Sequence, residues 1–192
     1  MKGKKYFGIL HNLNILTKWN LWIMWSFFGL SVLYDIILLL RSNQRIFRQL
    51  LTHYFNSIVF SIGSFDFVTF WLISLIDREI AMALFSDVNN PIIHCFPFIL
   101  VLIEKFLVYH PYFQIVVHLI GIVVITAAYQ ATVLFLRTNT VSWAYLVFDS
   151  SKFNSRLFFF LSMWPMIAAV YISGAKINEL IWKNALSSLT QS

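Results

Sequence analysis

Charged side chains are scarce in this sequence. Only 11% of its 192 residues are Asp, Glu, Lys or Arg, whereas a soluble domain carries about 25%. Hydrophobic residues make up 59% of the chain, and the twenty phenylalanines and seven tryptophans exceed what a soluble fold of this size can bury. The shortage of charge therefore excludes a soluble globular domain. We identify the chain as an integral membrane protein.

Cysteine and clustered histidine are also in short supply. The single cysteine, Cys95, excludes an internal disulfide. His94, His110 and His118 have no histidine at helical spacing beside them, and adjacent residues such as His94 and Cys95 point to different faces of a helix. We therefore expect no metal site and no other cofactor.

What the sequence has in abundance is long apolar runs. A bilayer core of about 30 Å requires about 20 apolar residues per helix. The runs are continuously apolar, so they do not show the alternation of barrel strands. The sequence predicts an all-α membrane bundle that forms a single domain over residues 1–192, with five spanning helices at approximately 19–40, 54–76, 91–109, 113–136 and 157–182.

The formal net charge of +6 lies mostly in the connectors between these runs. Lys and Arg at such positions meet lipid headgroups and bias topology, so we expect membrane lipids as partners and no nucleic acid. The runs show no internal repeat, which argues against a transporter fold and leaves a small oligomeric channel open. Small residues four apart predict helix-packing faces at Ala127 and Ala131 and at Ala169 and Ser173.

Ionisable residues inside spanning helices are costly and are therefore candidates for function. A buried hydrogen bond or an approach to the membrane interface explains any one of them equally well. Six residues of this kind fall in or near the predicted spans: Asp35, Asp66, His94, Glu104, His118 and Lys176.

Helix counting brings a hydroxyl and an imidazole to one membrane face. Thr17 begins the first span and His94 lies near the start of the third, while Asp77, Arg78 and Glu79 end the second span on the same side. A threonine hydroxyl becomes a nucleophile when a base such as histidine removes its proton. An N-cap is the alternative role for Thr17. Because both residues lie near helix starts, we expect any chemistry close to the headgroup boundary.

Four sequence runs together resemble a known family. The runs are FFGLSVLYDIILLL, FWLISLIDRE, PIIHCFPFILVLIE and VYISGAKINELIW, and they occur in the order and at the spacing of the androgen-induced protein family. The resemblance extends from about residue 16 to residue 182. It implies a multi-pass membrane hydrolase that cleaves fatty-acid esters of hydroxy fatty acids with a threonine nucleophile and a histidine.

The family's two functional residues correspond to Thr17 and His94 in this chain. Thr17 lies twelve residues before Gly29, and His94 lies ten residues before Glu104, as the resemblance requires. The implied mechanism has Thr17 attacking the ester carbonyl and His94 acting as the general base. The implied location is the plasma membrane or the endomembrane system, where the enzyme would take part in lipid metabolism.

The chain also departs from the family pattern. The family has a further spanning helix before the threonine, where this sequence has MKGKKYFGILHNLNI, so we expect that first helix to be missing. Leu146 stands where a proline is expected, and Ala175 stands where an acidic residue is expected. These departures leave an alternative function open, namely a non-catalytic membrane scaffold or regulatory protein of the same family.

Further polar residues receive supporting roles. Lys18 and Arg78 are predicted to hold the free carboxylate of a lipid ester, although Arg78 is equally able to pair with neighbouring acids and Lys18 with lipid phosphate. Glu104 lies about 15 Å along the helix from His94, too far to orient it, and Lys176 is its expected partner. The predicted structural polar residues are Asp35, Asp77, Glu79 and Glu104.

Overall fold

The computed structural model describes residues 16–40, 45–76, 82, 85, 89–112, 114–139 and 153–189. Within these ranges the chain is helical and contains no strand. The helices are α1 (Leu16–Leu39), α2 (Arg45–Tyr54), α3 (Phe60–Ile76), α4 (Asn89–Leu107), α5 (Ile115–Asn139) and α6 (Phe153–Leu189), and a π-helical turn, Phe55–Val59, joins α2 directly to α3.

Five helical segments in the described ranges are long and apolar enough to cross a membrane. The predicted all-α architecture with five spans is therefore confirmed. The segments are Leu16–Leu39, Arg45–Leu75, Asn89–Leu107, Ile115–Phe135 and Leu157–Lys183, which we call the first to fifth spans.

The second span begins earlier than the sequence predicts. The sequence predicts a basic connector, RSNQRIFRQ, and a span from about residue 54, but the helix already starts at Arg45, within that connector. One face of α2 buries Leu51 and Thr52, while Arg45 and Arg48 are exposed. Long basic side chains at the end of a span extend toward water, so the helix continues past the apolar window that hydropathy detects.

The second span is the centre of the bundle. Half of its most apolar window is buried, against 17–22% for the other four spans, and each of those four contacts it. Its side chains Phe55 and Phe65 are completely enclosed, together with Phe27 of α1, Val101 of α4 and Ile167 of α6. Polar residues on this helix are therefore shielded from lipid by the surrounding helices.

Apolar side chains cover the outside of the bundle. Trp22 and Trp25, for example, are 75% and 78% exposed. Lipid tails solvate such groups as well as a protein core does, so the hydrophobic effect does not drive these helices together. Close packing and hydrogen bonds between helices must hold the bundle instead.

The small-residue packing faces that the sequence predicts are wrong. Ala127, Ala131, Ala169 and Ser173 are all exposed on the outside of the described bundle. Spacing alone does not say which face of a helix turns inward, and these four residues lie on outward faces.

Glycines mark the close helix contacts instead. A Cβ at Gly121 would lie 3.0 Å from Ser57 Oγ, in the π-helical turn. A Cβ at Gly174 would collide with the ring of Phe60 and lie 2.9 Å from the hydroxyl of Tyr112. The fifth span therefore approaches the second span and the loop after α4 at a point that has no room for a methyl group.

Gly174→Ala is expected to destabilise the fold. Phe60 is enclosed and cannot move aside freely, so overpacking should cost about 1–3 kcal/mol and lower the thermal unfolding temperature in detergent. Gly29→Ala is the matched control, because no atom lies within 4 Å of a Cβ at Gly29. Equal unfolding temperatures for the two variants would show that the contact at Gly174 is not tight.

Candidate active site

The hydroxyl of Thr17 lies among three polar side chains near one end of the bundle. Its Oγ1 donates to Asp66 Oδ1 at 3.0 Å. It also lies 3.3 Å from His94 Nδ1 and 3.4 Å from His94 Nε2. Side chains of the first, second and third spans therefore meet in a single hydrogen-bonded cluster.

The carboxylate of Asp66 is the centre of this cluster. Its Oδ2 accepts a hydrogen bond from Asn20 Nδ2 at 3.2 Å and lies 3.3 Å from His94 Nδ1. Together with the hydrogen bond from Thr17, both carboxylate oxygens have partners. These contacts compensate for burying a carboxylate inside an apolar helical bundle.

The sequence of α1 explains why Thr17 and Asn20 face the same way. The buried residues of this helix recur at intervals of one helical turn and form one stripe. Thr17 and Asn20 are three residues apart on that stripe, so both side chains point at the central helix. The stripe consists of Leu16, Thr17, Asn20, Ile23, Met24 and Phe27.

The ring of Phe70 holds His94 in position. His94 lies in the second turn of α4 and stacks on Phe70 of α3, with ring centroids 4.1 Å apart and planes inclined by 20°. Phe70 lies four residues after Asp66, on the same face of α3. The stack therefore brings the imidazole close to the carboxylate and to the hydroxyl.

Burial indicates how the cluster is reached. Thr17, Asn20 and Asp66 are 2%, 0% and 4% exposed, whereas the side chain of His94 is 13% exposed. A ligand must therefore approach Thr17 past the imidazole. If Nδ1–H of His94 donates to Asp66 Oδ2, Nε2 keeps a lone pair that can accept the Thr17 proton once the hydroxyl turns away from Asp66 Oδ1. That arrangement resembles a hydroxyl–histidine–carboxylate triad.

Thr17 and His94 approach each other as the sequence predicts, and their catalytic role stays a prediction. Asp66 is predicted only as a costly intramembrane group without a role, and Asn20 is not predicted at all. Polar side chains one turn apart, as Thr17 and Asn20 are, were the available signal. Asp77, Arg78 and Glu79, which we expected at this site, lie outside the described residues.

The members of the cluster lie at different depths, and Asp66 lies deeper than a helix-end position. Asp66 is ten residues before Ile76, where α3 ends, and His94 is five residues after Asn89, where α4 begins. At a rise of 1.5 Å per residue these positions are about 15 Å and about 8 Å inside the described helix ends. The long central helix, not the connector that follows it, supplies the acidic partner.

Glu104 has a different partner from the one predicted. Its Oε1 lies 2.9 Å from His110 Nε2, whereas Lys176 is exposed on the fifth span. Burial lowers the pKa of His110, and the hydrogen bond to Glu104 opposes that shift. The chain turns back toward the bundle after α4, which brings His110 onto Glu104. A structural role fits Glu104, as its burial with His110 indicates.

The other predicted supporting residues are less enclosed. Asp35 is exposed and lines a small cavity of about 150 Å³ together with Arg48 and Glu104. Lys18 is partly buried and already has a contact of its own within the protein. Their predicted roles remain predictions.

A second row of polar groups lies toward the opposite end of the bundle. His53 Nδ1 lies 2.8 Å from His118 Nε2, and His118 Nδ1 lies 2.9 Å from the hydroxyl of Tyr171. The sequence separates these three residues widely and gave no sign of their contact. In the part of the chain that the structure describes, no group of three or more His, Cys, Asp or Glu side chains could hold a metal ion.

An apolar groove of about 450 Å³ runs between α1 and α4 beside the cluster. Its lining begins on α1 with Leu21, four residues after Thr17, and on α4 with Phe96, two residues after His94, and it extends past Gly29 to Val32. Its other lining side chains include Met24, Phe28 and Leu100, all apolar. A hydrocarbon chain fits such a surface.

The fold and the cluster define a multi-pass helical membrane protein with a buried threonine, histidine and aspartate in contact. Residues 11–179 match the FAR-17a/AIG1-like protein family, and the chain belongs to that family. This confirms the resemblance that the sequence runs indicate.

Its curated relatives include the androgen-dependent TFPI-regulating proteins of mammals. The chain is 28% identical to the Homo sapiens protein over 177 residues, which cover 87% of this chain and 76% of that protein. It is 29% identical to the Mesocricetus auratus protein, covering 87% of this chain and 75% of the relative. No solved structure matches the chain.

Asp66→Ala is expected to lower the stability of the protein. The change leaves the Asn20 amide and the Thr17 hydroxyl without their buried acceptor, and each unpaired group should cost about 1–3 kcal/mol. Thermal unfolding in detergent measures the loss. Asp35→Ala, at an exposed carboxylate, is the matched control and should change little. An unchanged unfolding temperature for Asp66→Ala would contradict a structural role for the carboxylate.

Proposed function

We propose that the protein is a membrane lipid hydrolase that cleaves carboxylic esters, with Thr17 as the nucleophile and His94 as the general base. The observation that carries the proposal is the contact of the Thr17 hydroxyl with both His94 and Asp66, inside an apolar bundle. A hydroxyl adjacent to a base, with the base oriented by a third group, is the arrangement that activates a nucleophile. Family membership is compatible with this function.

In the first step, the Thr17 hydroxyl turns its proton from Asp66 Oδ1 to His94 Nε2, which takes it as Thr17 Oγ1 forms a bond to the ester carbonyl carbon. Asp66 retains the hydrogen bond to Nδ1–H and stabilises the imidazolium without accepting its proton. The bond from the carbonyl carbon to the alcohol oxygen then breaks, and that oxygen takes the proton from His94. The products are the free alcohol and an acyl group on Thr17.

In the second step, water attacks the acyl carbon as His94 Nε2 takes one of its protons. The bond from the acyl carbon to Thr17 Oγ1 breaks, and Thr17 recovers a proton from His94. The net reaction consumes the ester and one water and yields a carboxylic acid and an alcohol. The present distances of 3.3 Å and 3.4 Å from Oγ1 to the ring nitrogens fit a resting enzyme, whose catalytic hydrogen bonds tighten when substrate binds.

The apolar groove supports a long-chain substrate. It leads away from Thr17 and His94 along α1 and α4, so the acyl or alkyl chain of an ester can lie there while its carbonyl reaches Oγ1. The proposed substrates are fatty-acid esters of hydroxy fatty acids. Their free carboxylate would be held by Lys18 and Arg78 as cations.

A regulatory role without catalysis is the alternative. The names of the mammalian relatives describe proteins that regulate TFPI in an androgen-dependent way. A regulator of this kind requires no activated hydroxyl, so a serine-hydrolase probe would fail to label it even when it is folded.

Thr17→Ala and His94→Ala should each reduce hydrolysis of a fatty-acid ester of a hydroxy fatty acid by about a thousandfold or more, because each removes a member of one catalytic unit. The measurement is release of free fatty acid by the purified protein in detergent. Thr17→Ser retains a hydroxyl and should keep measurable activity. Asp66→Asn should keep the fold but reduce the rate of hydrolysis. The asparagine amide can donate to His94 Nδ1, which favours the tautomer with its proton on Nε2, and that nitrogen can then no longer act as the base.

A fluorophosphonate probe supplies the control for this assignment. Mass spectrometry should locate the label on Thr17 in the wild type, and labelling should disappear in His94→Ala. Equal hydrolysis by wild type, Thr17→Ala and His94→Ala would overturn the assignment. Absence of both hydrolysis and labelling in folded wild-type protein would favour the regulatory alternative.

Gly29→Leu should shorten the acyl chain that the enzyme accepts. A side chain at Gly29 points into the groove about 18 Å along α1 from Thr17. We expect kcat/KM for a palmitoyl ester to fall about tenfold or more, while a butyryl ester of the same alcohol is unaffected. Ala127→Leu, on the exposed face of the fourth span, is the control. An equal loss for both esters would exclude the groove as the acyl site.

A further inference from the structure

A second cavity lies at the other end of the bundle from Thr17. It has a volume of about 640 Å³ and opens between the loop after α4, the start of α5 and the last turns of the fifth span. Isoleucine, alanine and tyrosine side chains form one part of its lining, and four polar or charged side chains of the fifth span form the rest. The lining residues that matter below are Tyr112, Ile115, Ile172, Ala175, Lys176, Asn178, Glu179 and Lys183.

Behind this cavity lies a buried lysine, Lys105, that has no acidic partner among the described residues. Lys105 is 0% exposed, and no carboxylate among the described residues lies within 4.0 Å of its Nζ. Its Nζ lies 4.3 Å from the centroid of the Phe60 ring and 4.7 Å from that of Tyr112. Aromatic faces stabilise an ammonium group but do not neutralise its charge.

The hydroxyl of Tyr112 connects this lysine to the cavity. Tyr112 accepts a hydrogen bond from Lys105 Nζ at 2.9 Å, and it lines the cavity. Burial raises the pKa of Tyr112, so the hydroxyl keeps its own proton. A phenol that accepts from an ammonium group is polarised and donates more strongly to an acceptor on its other side. Tyr112 therefore connects the enclosed lysine to a residue of the cavity wall through one hydrogen bond.

Two further features indicate a polar occupant, and the second of them favours one with negative charge. Asn178 is only 4% exposed and lines the cavity, yet its Oδ1 has no hydrogen-bond partner. A carboxamide can present either its NH₂ or its oxygen to a ligand. Lys176 and Lys183 stand at the rim opposed by one acid, Glu179, so the rim and Lys105 together carry a positive balance.

We propose that this cavity binds a long-chain fatty acid by its carboxylate. The hydroxyl of Tyr112 donates to the carboxylate, with Lys105 behind it, and the Asn178 amide provides a second donor. The hydrocarbon chain passes Ile115 and Ile172 toward the lipid. A lysolipid phosphate shares the anionic chemistry of this head group, and the experiment below separates the two ligands.

This site is distinct from the proposed ester-cleaving site. Lys105 follows His94 by eleven residues in the same helix, which corresponds to about 16 Å. The fatty-acid site therefore does not depend on the proposed hydrolase function, and a bound chain here cannot place its head group at Thr17.

The test is binding of cis-parinaric acid, a fluorescent fatty acid, to the purified full chain in phosphatidylcholine nanodiscs. Empty nanodiscs give the background from partition into lipid. In Thr17→Ala protein, which cannot hydrolyse the ester, we expect palmitate to displace the probe at least about tenfold more effectively than palmitate methyl ester, which lacks the charge. Equal displacement by the acid and its ester would overturn the proposal. Displacement by palmitoyl lysophosphatidate without displacement by palmitate would overturn the choice of a carboxylate.

Variants connect the binding to the cavity. Tyr112→Phe removes only the hydroxyl, and Ala175→Asp adds a carboxylate to the wall; each should weaken binding of the probe about tenfold or more. Lys105→Met should do the same while preserving an apolar side chain of similar length. Thr17→Ala should bind the probe as tightly as wild type does. A failure of the hydrolase proposal can therefore be distinguished from a failure of the fatty-acid proposal. Unchanged binding in Tyr112→Phe and Lys105→Met would exclude this cavity.

Discussion

The carboxylate of Asp66 connects three of the five spans through hydrogen bonds. It lies on the central helix and contacts Thr17 and Asn20 of the first span and His94 of the third. In lipid the hydrophobic effect does not hold helices together, so contacts of this kind and close packing must do so. An aspartate there is costly unless its partners are in place. The geometry around Thr17 and the packing of these three spans therefore depend on the same group.

Apolar composition and run length were sufficient to predict the class of fold. Continuous apolar windows report directly on lipid exposure, so the five spans were found with errors only at their ends. Which face of each helix turns inward was not predictable, because almost every position in a lipid-exposed helix is apolar. The exposed Ala127 and Ala131 show this failure, and so does Gly174, whose contact with Phe60 follows from the tertiary arrangement alone.

The candidate site was predictable in part for a similar reason. Hairpin counting brings the ends of helices together, which is why the approach of Thr17 and His94 followed from topology. Asp66 lies ten residues inside its helix, and counting ends gives no information about depth. The contacts of Glu104 with His110 and of His53 with His118 depend on rotations of helices about their axes, which a single sequence does not specify.

The two ends of the bundle bury charges of opposite sign, and among the described residues only the acidic group has a partner that could carry the opposite charge. Near Thr17 an acid, Asp66, is surrounded by polar partners, one of which is the imidazole of His94. Near Tyr112 a base, Lys105, is surrounded by aromatic faces and one phenol, with no acid beside it among the described residues. An acid paired with a titratable base suits proton transfer within the site. A base without an acid suits holding an anion that arrives from outside, since the ligand then completes the charge balance that the protein leaves open.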